Sequence, residues 1–78
     1  MYLSPNAYQT LNLICAYYNR TQKNSFTNIE ANIPDSESAM NELENKGYIS
    51  LNRFMYDTIV LLTKAKVHAK TLGQRAEG

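Results

Sequence analysis

The stretch Ile33 to Thr63, IPDSESAMNELENKGYISLNRFMYDTIVLLT, decides the fold. From Asp35 to Lys46 the apolar residues Ala39, Met40 and Leu43, with the small Ser36, recur at the spacing of one helix face. Gly47 follows directly, and glycine enters the left-handed conformation that ends a helix without steric cost. Tyr48 to Leu51 then alternates, and Asp57 to Leu62 is dense in β-branched and aliphatic residues. The pattern predicts a helix, a glycine exit and a short β-hairpin whose tip is Asn52 to Tyr56.

Upstream, Ser4 and Pro5 open a helix that runs to about Asn19: the serine caps, and the proline occupies a position where its missing amide costs nothing. Tyr8, Leu11, Ile14, Cys15 and Tyr18 supply its buried face. Arg20 to Ser25, RTQKNS, is polar throughout and reads as a solvent-exposed connection. Thr27 to Glu30 forms a capping-box pattern that predicts a second helix of about two turns, stopped by Pro34. Downstream, Thr63 caps a last helix through Ala65, His68, Ala69 and Leu72, with Gly73 as its exit and 74–78 frayed.

With 78 residues the chain is one small domain, 1–78, and its hydrophobic fraction of 44% is enough for a core. Six tyrosines carry part of that fraction, so Leu, Ile, Val, Met and Phe must do most of the packing. Cys15 is the only cysteine, which fits a reduced, cytoplasmic protein. No stretch approaches the roughly 20 apolar residues of a membrane span, and no basic segment followed by an apolar run opens the chain. Neither secretion nor membrane insertion is expected.

The segment FTNIEANIPDSESAMNELENKGYI, with its helix-to-strand exit ELENKGYI, resembles the winged helix-turn-helix family, and the resemblance covers nearly the whole chain. It implies a mainly α fold with a small β-hairpin, in the order helix, helix, helix, hairpin, helix. By that likeness Ile33 and Pro34 form the turn, Asp35 to Lys46 the recognition helix, and Leu62 and Thr63 the close of the wing. The chain departs from the family pattern in its short second helix and in Lys66, where many relatives carry glycine. The resemblance implies double-stranded DNA as a ligand, a role in transcription regulation and a homodimer built on terminal helices. The scaffold alone does not fix function, because it also serves in protein contacts.

Charge bears on that choice. Eight cations against seven acids leave +1, a weak attraction for phosphates. Asp35 to Lys46 carries four acids against one lysine, whereas the last segment carries Lys64, Lys66, Lys70 and Arg75 against Glu77. On the face opposite Met40, Ser38, Asn41 and Asn45 are candidates for base or phosphate contact, since asparagine reads adenine edges. Arg53 at the hairpin tip, Lys64 and Lys66 are candidates for phosphates. In the competing reading the helix is a protein-interaction surface. Its acids Glu37, Glu42 and Glu44 meet a basic protein, and Phe54, Met55 and Tyr17 supply apolar anchors. Tyr8, Tyr17, Ala65, Ala69 and Leu72 are candidates for a homodimer interface.

Catalysis has little to stand on. His68 and Cys15 are each alone of their kind and show no activating arrangement. No metal-ligand spacing and no glycine-rich phosphate loop occur, so no catalytic residue, metal or cofactor is expected.

Overall fold

A computed structural model describes residues 3–52 and 58–77, the last four as backbone only. Its elements are α1 (Pro5–Thr21), β1 (Ser25–Thr27), α2 (Glu37–Asn45), β2 (Ile49–Asn52), β3 (Thr58–Leu61) and α3 (Thr63–Glu77). The protein is thus mixed α/β among the described residues, in the order helix, strand, helix, hairpin, helix, where a mainly α fold in the order helix, helix, helix, hairpin, helix was expected. Three helices pack with an antiparallel three-stranded sheet in the order β1-β3-β2.

Local chemistry explains most boundaries. Ser4 Oγ accepts from the Ala7 amide at 3.2 Å and Pro5 is the first helical residue, so α1 starts where a cap and a preset φ coincide. Gln22, at φ 62°, closes it by donating to the Tyr18 carbonyl. Ser36 caps α2 through the Ala39 amide. Gly47, at φ 81°, ends that helix: its amide bonds the Glu44 carbonyl and the Tyr48 amide reaches Leu43. Those two bonds satisfy carbonyls that the last turn would leave open.

Three expectations change. The predicted second helix is a tight turn over 28–32. Thr27 Oγ1 accepts from the Glu30 amide, half of a capping box, but the Glu30 carboxylate turns to Lys23 and Tyr17 instead of back to Thr27. Asn32 then enters the left-handed region at φ 56°, and Pro34 has no amide with which to continue. Ser25, expected to end an exposed connection, and Thr27, expected to cap the second helix, form a strand with Phe26 because the three pair with β3, Ser25 opposite Val60 and Phe26 opposite Ile59. The last helix does not stop at Gly73 but continues to Glu77, and it starts with Thr63 inside its first turn. The hairpin tip lies outside the described residues.

One face of the sheet carries Phe26, Ile49, Ile59 and Leu61 into a core with Leu11, Ile14, Cys15, Ile33, Met40 and Leu43. The remaining side is closed by α3, whose Ala65 and Ala69 are completely buried. Small residues there let α1 and α3 approach closely enough for polar groups to bridge them. Asn19 Nδ2 donates to the Ala69 carbonyl at 2.9 Å, the Cys15 thiol lies 3.5 Å from the Ala65 carbonyl, and His68 Nε2 sits 2.9 Å from Asn12 Oδ1. No buried side-chain polar atom lacks a partner among the described residues. No helix among them is long and apolar enough to cross a membrane.

Candidate nucleic-acid interface

The site is α2, the helix predicted over Asp35 to Lys46. Burial of Ala39, Met40 and Leu43 fixes which side of it faces the core. The opposite side then presents Glu37, Ser38 and Asn45 exposed and Asn41 half-buried. Ser38, Asn41 and Asn45 follow one another at spacings of three and four, so they share a face. Asn41 and Asn45 stand about 6 Å apart along the axis, close to two base-pair steps of about 3.4 Å each.

The acids of this helix are less available than their number suggests. Glu42 Oε2 accepts from the Ser4 amide at 2.6 Å and Oε1 from the Ser4 hydroxyl at 2.8 Å, tying α2 to the cap of α1. These bonds, the backbone one first, hold its carboxyl below the ordinary 4.5, with a smaller contribution from Lys46. Glu44 Oε2 accepts from the Leu51 amide at 3.2 Å. Tyr48 pairs with Leu62 through its carbonyl, so alternate residues of β2 point their amides away from β3, and Glu44 covers one of these. Asp35 and Glu37 remain exposed at the N-terminal end, where the helix dipole favours negative charge.

At the other end the charge reverses. Lys64 Nζ donates to the Lys46 carbonyl at 2.9 Å and lies 4.5 Å from the centre of the Tyr48 ring. The first turn of α3 is thereby fixed beside the last turn of α2, and Lys64 is held near Asn45 as a cap of the negative helix end. Lys66, two positions on, is half-buried with no ion pair among the described residues. Arg53, Phe54 and Met55 lie outside the described residues.

Tyr17 is not a free anchor. Its ring meets Phe26 edge-on at 4.6 Å, Arg20 lies 5.2 Å over it, and its hydroxyl donates to Glu30 at 3.0 Å. Lys23 completes this cluster with a 2.7 Å bridge to the same Glu30 oxygen, and that hydrogen bond, ahead of the one from Tyr17, lowers the Glu30 carboxyl. Ala65 and Ala69, candidates for a dimer face, are consumed by α1. Leu72 packs half-buried on the core, while Tyr8 stays exposed with its ring edge against His68.

Cys15 and His68 do not form a pair, since each bonds a different group across the α1–α3 contact. Burial pushes the thiol up to about 12, so it stays protonated and poorly nucleophilic at neutral pH. No cluster of three or more potential metal ligands occurs among the described residues.

The links that periodicity did not reveal are the long-range polar ones, Ser4 with Glu42 and Asn12 with His68. The α1–α3 links have one sequence signal, the repeat of Asn12, Cys15 and Asn19 at helical spacing beside the apolar stripe of α1, and the Ser4–Glu42 link has none. Comparison of the chain with protein-family models, with curated proteins and with solved structures finds no match.

Proposed function

We propose that this chain is a small DNA-binding module of the winged-helix kind, which lays the outer face of α2 in the major groove and acts by equilibrium binding without catalysis. One observation carries the reading. The two acids nearest the middle of α2 are bonded to the amides of Ser4 and Leu51, and the helix side opposite the core carries the Ser38 hydroxyl and the Asn41 and Asn45 carboxamides. Asn41 and Asn45 suit adenine edges, Ser38 suits a phosphate or a base, and Lys64 and Lys66 lie at the end of the helix where phosphates would pass. The exposed Asp35 and Glu37 repel phosphates at the opposite end, so the C-terminal half of α2 approaches the duplex more closely.

Selection against a random duplex library, followed by anisotropy titration of the enriched sequence, tests this. The double variant Asn41→Ala with Asn45→Ala is expected to lose about 1–3 kcal/mol per bidentate contact in preference for the enriched site, while keeping its fold. No enrichment at low salt, or equal preference in the variant, would remove the groove-reading role. Retention of a basic protein with no duplex bound would transfer the acidic end of α2 to the protein-contact reading.

A further inference from the structure

Glu42 and Glu44 are two positions apart on α2, which sets them about 200° apart around the helix axis at 3.6 residues per turn. Their carboxylates therefore reach to opposite flanks. Glu42 takes the amide of Ser4 at 2.6 Å and its hydroxyl at 2.8 Å, at the start of α1, while Glu44 takes the amide of Leu51 at 3.2 Å on β2. A third tie joins the two helices at the other end, where Asn6 Nδ2 donates to Oγ of Ser36, the cap of α2, at 3.0 Å. Ser36 and Glu42 are separated by about 9 Å along the axis, so α1 grips α2 at two points. Glu37, on the same helix, is exposed and has no partner among the described residues.

Burial of Ala39, Met40 and Leu43 decides which side of α2 faces inward, but apolar contact is non-directional and tolerates a small rotation. Contact with base edges does not. A helix with its side chains has a radius of about 5–6 Å, so a rotation of about 20° carries the Asn41 and Asn45 carboxamides through about 2 Å. Hydrogen bonds accept donor–acceptor distances of only about 2.7–3.2 Å. Directional bonds on two flanks hold what packing leaves loose.

We infer that Glu42 and Glu44 are positioning residues of α2: gripping α1 on one side and β2 on the other, they fix the rotation at which Ser38, Asn41 and Asn45 face a duplex. This role rests on the groove-reading proposal for what α2 meets, but not for how α2 is held. Its consequence is that the two acids favour selective binding although their charge opposes binding as such. A carboxylate that only repelled phosphates would do the second and not the first.

Glu42→Gln, Glu44→Ala and Glu37→Gln each remove one negative charge from α2, and Asn6→Ala removes a tie without changing charge. Circular dichroism checks that each keeps the parent's fold. Each is titrated with the enriched duplex and with a scrambled duplex of equal length, and residual dipolar couplings of the free proteins give the orientation of α2 relative to α1. Glu37→Gln is expected to raise both affinities alike. Glu42→Gln, which keeps one acceptor oxygen in place of two, and Glu44→Ala should bind the scrambled duplex more tightly yet lose about fivefold or more in the ratio of enriched to scrambled affinity. In both, α2 should be turned by roughly 10° or more. Asn6→Ala should lower the ratio without raising the affinity for the scrambled duplex. An orientation of α2 that stays at the parent's value in both Glu42→Gln and Glu44→Ala would overturn the inference, as would a ratio that moves no more in them than in Glu37→Gln. The couplings need no duplex, so a wild-type chain that enriches none loses the groove-reading proposal while the held rotation of α2 is still decided.

Discussion

Lys64 and Lys66 are two positions apart in one helix turn, yet one cation is tied to a carbonyl and a ring and the other is not. Lys64 holds the Lys46 carbonyl and the Tyr48 ring. Lys66 has no such tie among the described residues. Lys66→Gln should lower the slope of log affinity against log salt by about 0.9 with no change in melting temperature. Lys64→Gln should lower both, because it also uncaps α2. Calorimetry and duplex titration on the two variants check this. Glu42 gives a second residue-scale test. Its folded carboxyl is depressed by Ser4, so its contribution to stability is present above its unfolded value and is lost as pH falls through the lower folded value. Urea melts between pH 6 and pH 2 should therefore show an acid limb that flattens in Glu42→Gln. Cys15, buried and raised to about 12, should resist a thiol reagent at pH 8 until denaturant opens the α1–α3 contact. Labelling rates with and without urea measure that.

At the scale of elements, what the sequence made legible was what local chemistry decides. Ser4 with Pro5 announces α1, and Met40 with Leu43 and Gly47 announces α2 and its end. β1 was not legible, since Ser-Phe-Thr lies beside a polar run and becomes a strand only by meeting Ile59 and Val60, more than thirty residues away. The failed second helix has a similar cause: the carboxylate that a capping box needs is claimed by Lys23 and Tyr17. Gly73 misled because glycine does not by itself end a helix. Here it lies within the helix, where a Cβ would stand 3.5 Å from Asn19 Nδ2, an ordinary contact, so neither backbone nor space at this position requires glycine. At Gly47 the backbone is the issue: φ is 81° and no atom would touch an added Cβ. Gly47→Ala should cost about 1 kcal/mol, the conformational term alone, measured by chemical denaturation. A loss several times larger would mean that the hairpin does not leave α2 through this turn.

For the whole molecule, the radius of gyration of 11.6 Å equals that of a closed domain of this length, about 11.5 Å by the usual scaling. The core therefore closes within one copy. Of the candidate site, Ser38, Asn41 and Asn45 were legible because the periodicity that buries Met40 also dictates what faces outward. The disposition of the acids was not, because charge counted along a helix says nothing of which backbone amides the fold brings to it. Glu42 and Glu44 weighed against DNA when counted, and their bonds to Ser4 and Leu51 reduce that weight.

The proposal that the outer face of α2 meets the duplex is tested most directly by nitrogen–proton correlation spectra of the labelled protein titrated with the enriched duplex. The account predicts that the side-chain amides of Asn41 and Asn45 and the backbone amide of Ser38 shift most, with Lys64 and Lys66 following and the Tyr17–Lys23–Glu30 cluster unmoved. Shifts confined to that cluster, or Asn41 and Asn45 unchanged at saturation, would contradict it.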